Sequence, residues 1–469
     1  MAEPHVVILG AGPAGLGAAL RLRQQRRARV TVLEQNRYVG GLAASFELGG
    51  QRVDFGSHRL HPACDAEVMR DIRALLGDDL LDRPRHGRIR LRGRWIHFPL
   101  KPVDLLLHLD PPFAMATLLD RVRRAPYGNG TESFASVLWS SLGPTICREF
   151  YFPYARKIWG VEPDVLSPIQ ARRRVSAASF AKLIRKVLSA VPGFKPPGAG
   201  RFFYPRKGYG QISEAYASAA EKIGAEIKLG CRVEALVRES DAWRVRGTAA
   251  DGPIELTADH IWSTVPVSIL ARLVQPPPPP EVAQAAASIA YRAMILVYIT
   301  VPVDRFTEFD AHYFPSSDIR ITRLSETKNY ALLTEPRGQT TLCAELPCDP
   351  DDDVWKMDDA ALGSLVADAL DRAAIPLPAP PVLVYARRLR HAYPIYHHGY
   401  EQHFNTLDHW AASLPNLLSY GRQGLFAHDN THHALFMAYS AVDCLQDGRF
   451  DAARWDRYRE VFATHVVED

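Results

Sequence analysis

The hexapeptide Gly10-Ala11-Gly12-Pro13-Ala14-Gly15 follows an apolar run, Val6–Leu9, and opens an apolar-periodic stretch, Leu16–Gln25. Strand, glycine turn and helix in that order leave few architectures, because a parallel β-α-β unit puts such a turn at the end of a buried strand. Gly10 permits the tight turn, Gly12 lets the backbone approach a pyrophosphate, and Gly15 lets the helix pack closely, while the helix N-terminus offers partial positive charge. A second apolar run, Val30–Leu33, ends at Glu34, whose carboxylate accepts hydrogen bonds from ribose hydroxyls and repels a 2′-phosphate. The unit reads as a dinucleotide site that disfavours NADP.

With 47% hydrophobic residues in 469, the chain has apolar material for a large core and more than one domain. A net charge of +4 is too mild for nucleic-acid binding without a concentrated patch, and Arg172-Arg173-Arg174 is the densest cluster of interest. Six well-separated cysteines without a CxxC pair read as reduced thiols and predict a cytoplasmic location. The apolar run around 293–303 falls short of the ~20 residues that span a bilayer, so no integral membrane segment is expected.

Two hairpins are predicted, one joining Ser45–Leu48 to Gln51–Asp54 through Gly49-Gly50 and one around Arg92-Gly93-Arg94. From about Val103 to Ala190 the spacing turns helical, with Phe134-Val137-Leu138 and Phe180-Leu183-Ile184-Val187 as examples. A helix over Gly210–Ile223 and short strands in Glu226–Trp262 follow, and Pro276–Pro280 reads as a stiff connection. Beyond it lie strand candidates Met294–Val301, Ile319–Arg323, Tyr330–Thr334, Thr341–Leu346 and Val382–Arg388, with a helix at Asp358–Ala373. A strand Leu417–Tyr420 and a helix from Thr431 to Leu445 close the chain. The expected organisation is a nucleotide-binding domain in three pieces, 1–100, 201–275 and 405–469, interrupted by a helical subdomain, 101–200, and a sheet-rich substrate domain, 276–404.

Tyr38-Val39-Gly40-Gly41-Leu42 resembles the second glycine signature of the FAD-dependent amine-oxidase superfamily. The loop Phe55-Gly56-Ser57-His58-Arg59-Leu60-His61 resembles the histidine loop of UDP-galactopyranose mutases, and Tyr151 to Gly160 resembles their helical-domain signature. Tyr204 to Gly210 is similar to a segment of protoporphyrinogen-oxidase-like proteins, Cys231-Arg232-Val233 to the superfamily's contact with the adenosine end of FAD, and Gly421-Arg422-Gln423-Gly424 to its closing flavin motif.

This resemblance implies an α/β fold: a discontinuous Rossmann-like FAD-binding domain, an inserted helical subdomain and a mostly antiparallel β-sheet substrate domain. It implies FAD held by Gly10, Gly12, Gly15, Glu34, Gly40, Gly41, Val233, Gly421 and Arg422. Catalytic roles pass to His58, His61, Arg173, Arg422 and His428, and substrate contacts to Tyr154, Trp159, Arg172, Arg174 and Asn430. The activity implied is that of the mutases, in which N5 of the reduced flavin acts as nucleophile on a nucleotide-activated sugar and ring size changes without net redox. The alternative is hydride abstraction by an oxidase or dehydrogenase. Departures from the mutase pattern lie at Ala177, where a second arginine is expected, and at His428 and Asn430, where a Tyr and an Asp are expected.

Taken as residues alone, His58 and His61 read as structural histidines that titrate near neutrality, and Tyr154 and Trp159 as core aromatics. Asp429 or Asn430 reads as the N-cap of a helix whose positive end would point at the flavin pyrimidine. His397-His398, His403 and the stretch His428 to His433 lack a recognised ligand spacing, and adjacent residues on a helix point ~100° apart, so no metal is expected.

Overall fold

The computed structural model describes residues 3–123, 127–128, 131–174 and 200–467. His5–Leu9 is buried along its whole length, as a central parallel strand covered on both faces must be. It is the middle of a five-stranded parallel sheet that runs Leu417–Ser419, His260–Ser263, His5–Leu9, Arg29–Glu34, Glu226–Leu229. Strands from three distant parts of the chain thus form one sheet. The helix Pro13–Gln24 packs between Gln211–Lys222 and Thr431–Cys444 and brings the first, middle and last segments into one core.

A second sheet, Gly252–Ala258, Trp243–Ala249 and Arg232–Arg238 with Val274–Gln275 alongside, lies at the Glu34 end. The third is seven-stranded, in the order Leu383–Ile395, Ala290–Val301, Thr340–Cys348, Arg323–Glu326, Ala311–Tyr313, Gly87–Leu91, Arg94–Phe98. All its pairings are antiparallel except Ala311–Tyr313 with Gly87–Leu91. The hairpin turning at Arg92-Gly93 therefore extends this sheet, although it lies within the first hundred residues. Short helices between Pro102 and Arg174 form the insert, around Phe134, Leu138, Trp139, Phe152 and Trp159.

Two expected strands are corrected. Ile319–Arg323 is mostly loop, and the strand begins where that stretch ends, at Arg323–Glu326. Tyr330–Thr334 is not a strand, because Thr327–Ala331 is helical. Tertiary bonds wind this segment against its local preference: the buried Lys328 ammonium donates to the carbonyls of Asp304, Pro336 and Gln339, and Asn329 Nδ2 donates to those of Thr307 and Phe309. The helices Ala66–Leu76, Tyr400–Ser413 and Ala452–Ala463 carry no expectation from the sequence reading. The periodic stretch Phe180–Val187 lies outside the described residues. All six cysteines are free and buried, and no described helix is long and apolar enough to cross a membrane.

Candidate active site

The glycine turn is closed by backbone contact. A Cβ on Gly15 would stand 2.0 Å from the Gly10 carbonyl oxygen, so helix and turn approach as only glycine permits. At Gly12 nothing lies within 4 Å of a Cβ position, which leaves that backbone open to a pyrophosphate. Glu34 is buried; its Oε2 accepts the Ala11 N–H at 2.9 Å and its Oε1 accepts the Asn36 N–H at 2.9 Å. Gly40 N–H donates to the Ala11 carbonyl at 2.8 Å, so the two glycine loops lie against one another. Cys231 N–H donates to the Glu34 carbonyl at 2.8 Å, which brings the strand holding Val233 beside the acidic residue. Gly421, at φ +78°, would place a Cβ 2.9 Å from that of Ala14, so the closing motif rests on the first helix. The residues expected to hold FAD thus converge on one surface, and the open backbone at Gly12 with the fixed Glu34 carboxylate fits a dinucleotide.

A cleft continues from this surface, lined by Leu42, His58, Arg323, Glu345, Tyr393 and Arg422 among others. His58 Nε2 bonds to the Phe55 carbonyl at 2.9 Å and its ring stacks on Tyr209. Burial lowers its pKa against the opposing pull of Asp54 and Glu345, which favours the neutral imidazole. Asp54 is fully buried and accepts from Ser45 Oγ, Tyr204 OH and Tyr209 N–H. Burial still raises its pKa, with those three donors working the other way.

Beyond Tyr393 the cleft is bounded by a connected group of rings. Trp159 lies 5.7 Å from Tyr393 and 5.0 Å from His428, and His428 lies 4.7 Å from Tyr396, centroid to centroid. The Arg422 guanidinium sits over Tyr393 at 5.4 Å, and that of Arg173 lies 6.0 Å from the Tyr396 ring. His428 is buried, and its Nε2 lies 3.1 Å from Gln170 Oε1, a hydrogen bond that holds the ring in place. Four of the residues predicted from the sequence, Trp159, Arg173, Arg422 and His428, come together here, and His58 shares the cleft with Arg422.

The others lie elsewhere. Arg172 is exposed and pairs with Glu132 at 2.6 Å, while Arg174 ends the helix Pro168–Arg174. The half-buried Tyr154 has its ring 6.0 Å from Phe150. Asn430 caps Thr431–Cys444, and its N–H donates to His433 Nδ1 at 3.2 Å. His61 Nδ1 accepts the Ala63 N–H, and its imidazole faces His432 and His433, whose pKa values it helps to lower. The fold adds His465 to this cluster, so that donors of Asp429, His433 and His465 lie within 4.8 Å of one another. The positive end of a helix opposes a cation there, and the single carboxylate already faces both imidazoles at 3.5 Å. Glu345, Arg323, Tyr393, Tyr396 and Gln170 were not anticipated. They sit in or beside strands and helices without a motif: sheet register brings Glu345 opposite Arg323, and tertiary packing brings Tyr393, Tyr396 and Gln170 to the aromatic group.

A family model described as flavin containing amine oxidoreductase matches residues 13–454. The chain belongs to this family. It is accordingly an FAD-dependent flavoprotein of the amine-oxidase superfamily, with the α/β architecture expected from its sequence. Its sequence is 28% identical over 281 residues to a phytoene dehydrogenase of Streptomyces griseus, an alignment covering 53% of this chain and 51% of that protein. The chain therefore spans about half the length of that relative. Its fold is similar to a reduced UDP-galactopyranose mutase, with TM-score 0.81, 21% identity and coverage of 99% and 100% of the two chains. It is also similar to putrescine oxidase bound to putrescine, with TM-score 0.62, 18% identity and coverage of 98% and 99%.

Proposed function

We propose that this flavoprotein isomerises the ring of a nucleotide-activated sugar, in the manner of UDP-galactopyranose mutase. The observation that carries this reading is the pair of guanidinium groups, Arg173 and Arg422, that flank one aromatic chamber, each over a different tyrosine of the segment Tyr393–Tyr396. Two planar donor forks beside aromatic rings suit a nucleoside diphosphate, whose oxygens accept bidentate bonds and whose base stacks. When bound, FAD supplies a nucleophilic N5 if reduced, or a hydride acceptor if oxidised.

The remaining work falls to the chain. Arg173 and Arg422 neutralise the diphosphate as it departs and hold it for return. Trp159 and Tyr393 form an apolar wall that excludes water from the sugar. Gln170 holds the His428 imidazole in place between Trp159 and Tyr396 at the edge of the chamber. His58, kept neutral by burial, adds no positive charge beside the guanidinium groups of Arg323 and Arg422 in the cleft.

A second reading, oxidation of a small molecule by hydride transfer, is favoured by His428 and Asn430, which replace a tyrosine and an aspartate of the mutase pattern. Anaerobic incubation with UDP-galactopyranose and other nucleotide sugars, once with oxidised and once with dithionite-reduced protein, separates the two. A product of unchanged mass formed only by the reduced protein supports the isomerase. Turnover by oxidised protein alone, with a product two hydrogens lighter, replaces it with the oxidase.

A further inference from the structure

The helical insert presents an outer face unlike the rest of the surface. Eleven large hydrophobic side chains are exposed among the described residues, and five of them fall between positions 103 and 119. Val103 and Leu107 are 67% and 70% exposed, one turn apart on Pro102–His108. Met115, Leu118 and Leu119 are 59%, 57% and 42% exposed, at three- and four-residue spacing on Pro111–Arg123. Phe113 and Thr117 of the same helix are buried, so the helix is seated on the insert by one face and turns an apolar face outward. From Pro111 to Leu119 the sequence has no charged residue, the reverse of an ordinary solvated helix. A clustered patch of this kind marks an interaction surface.

Charge says what covers it. Residues 85–124 contain nine Arg or Lys and three Asp, a net +6 within a chain whose total is +4. The three acids are engaged inward: Asp104 accepts the His97 N–H at 2.7 Å, Asp110 pairs with Arg92 at 3.2 Å, and Asp120 accepts the Thr145 N–H at 2.7 Å. Lys101 and Arg94 are exposed close by in sequence. A second copy of the chain meeting this face in a two-fold dimer would set two such positive segments against each other. A layer of anionic headgroups has the opposite sign, and an exposed apolar helix face in a segment of net positive charge, with Lys101 and Arg94 exposed, matches a helix lying in a bilayer interface.

We propose that the outer face of Pro102–His108 and Pro111–Arg123 docks on an anionic lipid bilayer, with Leu107, Met115 and Leu118 entering the headgroup boundary. The chain then rests on the membrane through its helical insert and does not cross it. The proposal is independent of the reaction catalysed.

The test is co-sedimentation of the FAD-loaded protein with vesicles of phosphatidylcholine alone and of phosphatidylcholine with phosphatidylglycerol at about 3:1. The protein is expected to sediment with the anionic vesicles, to be released by high salt, and to remain in solution with the neutral ones. A Leu107→Glu/Leu118→Glu variant, altered only at exposed positions, keeps its flavin absorbance and loses about tenfold in vesicle affinity. Three results overturn the proposal: no sedimentation with anionic vesicles, sedimentation that the double variant leaves unchanged, or a concentration-dependent dimer that the double variant dissolves. The last would assign the face to a second copy of the chain.

Discussion

Glu345 grips Arg323 with both carboxylate oxygens, Nε to Oε1 at 3.0 Å and Nη2 to Oε2 at 2.9 Å, between neighbouring strands at the floor of the cleft. The same Oε1 accepts the Ser57 N–H at 2.8 Å, so the pair anchors the loop that carries His58. With Glu345 5% and Arg323 14% exposed, removal of one partner leaves the other charge in a poor medium. Glu345→Gln is expected to destabilise the protein by about 3–5 kcal/mol in urea unfolding. A loss below about 1 kcal/mol would mean that water or FAD, and not this carboxylate, satisfies Arg323.

The glycine turn gives a prediction on cofactor content. Gly15→Ala places a Cβ against the Gly10 carbonyl oxygen and must displace either helix or turn, so the purified protein is expected to hold no FAD. Glu34→Ala removes the acceptor for Ala11 N–H and Asn36 N–H but leaves the turn in place. Loss of one charged acceptor is worth about 1.5–3 kcal/mol, a roughly 10- to 150-fold weaker FAD affinity by flavin fluorescence titration. If Glu34→Ala binds FAD as tightly as the parent, the carboxylate serves the turn alone and not the ribose.

These two cases mark where the sequence is legible. The turn at Gly10–Gly15 is read directly because backbone geometry forces residue identity within a few positions, whereas the loop at Gly40-Gly41 is picked out only by its resemblance to a family signature. The hairpin at Gly49-Gly50 and the helix Asp359–Arg372 follow from local turn chemistry and periodicity. Glu345 is different: it is one buried position in a strand, and its meaning comes from being opposite Arg323, 22 residues earlier, and under a loop 288 residues earlier. Tyr330–Thr334 fails for the same reason, since carbonyls of Asp304 and Gln339 decide the shape of that segment. Arg172 and Arg173 are adjacent in sequence, and only the fold sends one to Glu132 at the surface and the other to Tyr396.

The histidine cluster at the start of the last helix predicts acid sensitivity. Burial first, and the neighbouring imidazoles second, lower His432 to about 4 and His433 further. Below the ordinary pKa near 6.5 the unfolded chain takes protons that the folded chain refuses, so stability falls as pH drops through this window. The groups facing these imidazoles are His61, His465 and Asp429, and the carboxylate is the one that would favour protonation. A lower melting temperature at pH 5 than at pH 7 is expected, with a smaller difference in His432→Gln. A melting temperature independent of pH across that range would show that protonated forms are accommodated within the fold.

Adjacent arginines with different surroundings give the sharpest test of the site. Arg173 reaches Tyr396 in the aromatic chamber, Arg422 lies over Tyr393, and Arg172 is tied to Glu132 in an exposed pair. A phosphate held by a half-buried guanidinium gains about 1.5–3 kcal/mol, whereas an exposed ion pair contributes about 0–1 kcal/mol to anything. Calorimetric titration of the FAD-loaded protein with UDP should therefore show Arg173→Ala and Arg422→Ala each weaker by roughly 10- to 150-fold. Arg172→Ala should bind as the parent does, because its removal changes only the surface. Equal losses at Arg172 and Arg173 would indicate that the diphosphate sees the general positive charge of this helix, and the chamber formed by Trp159, Tyr393, Tyr396 and His428 would then have to receive some other substrate.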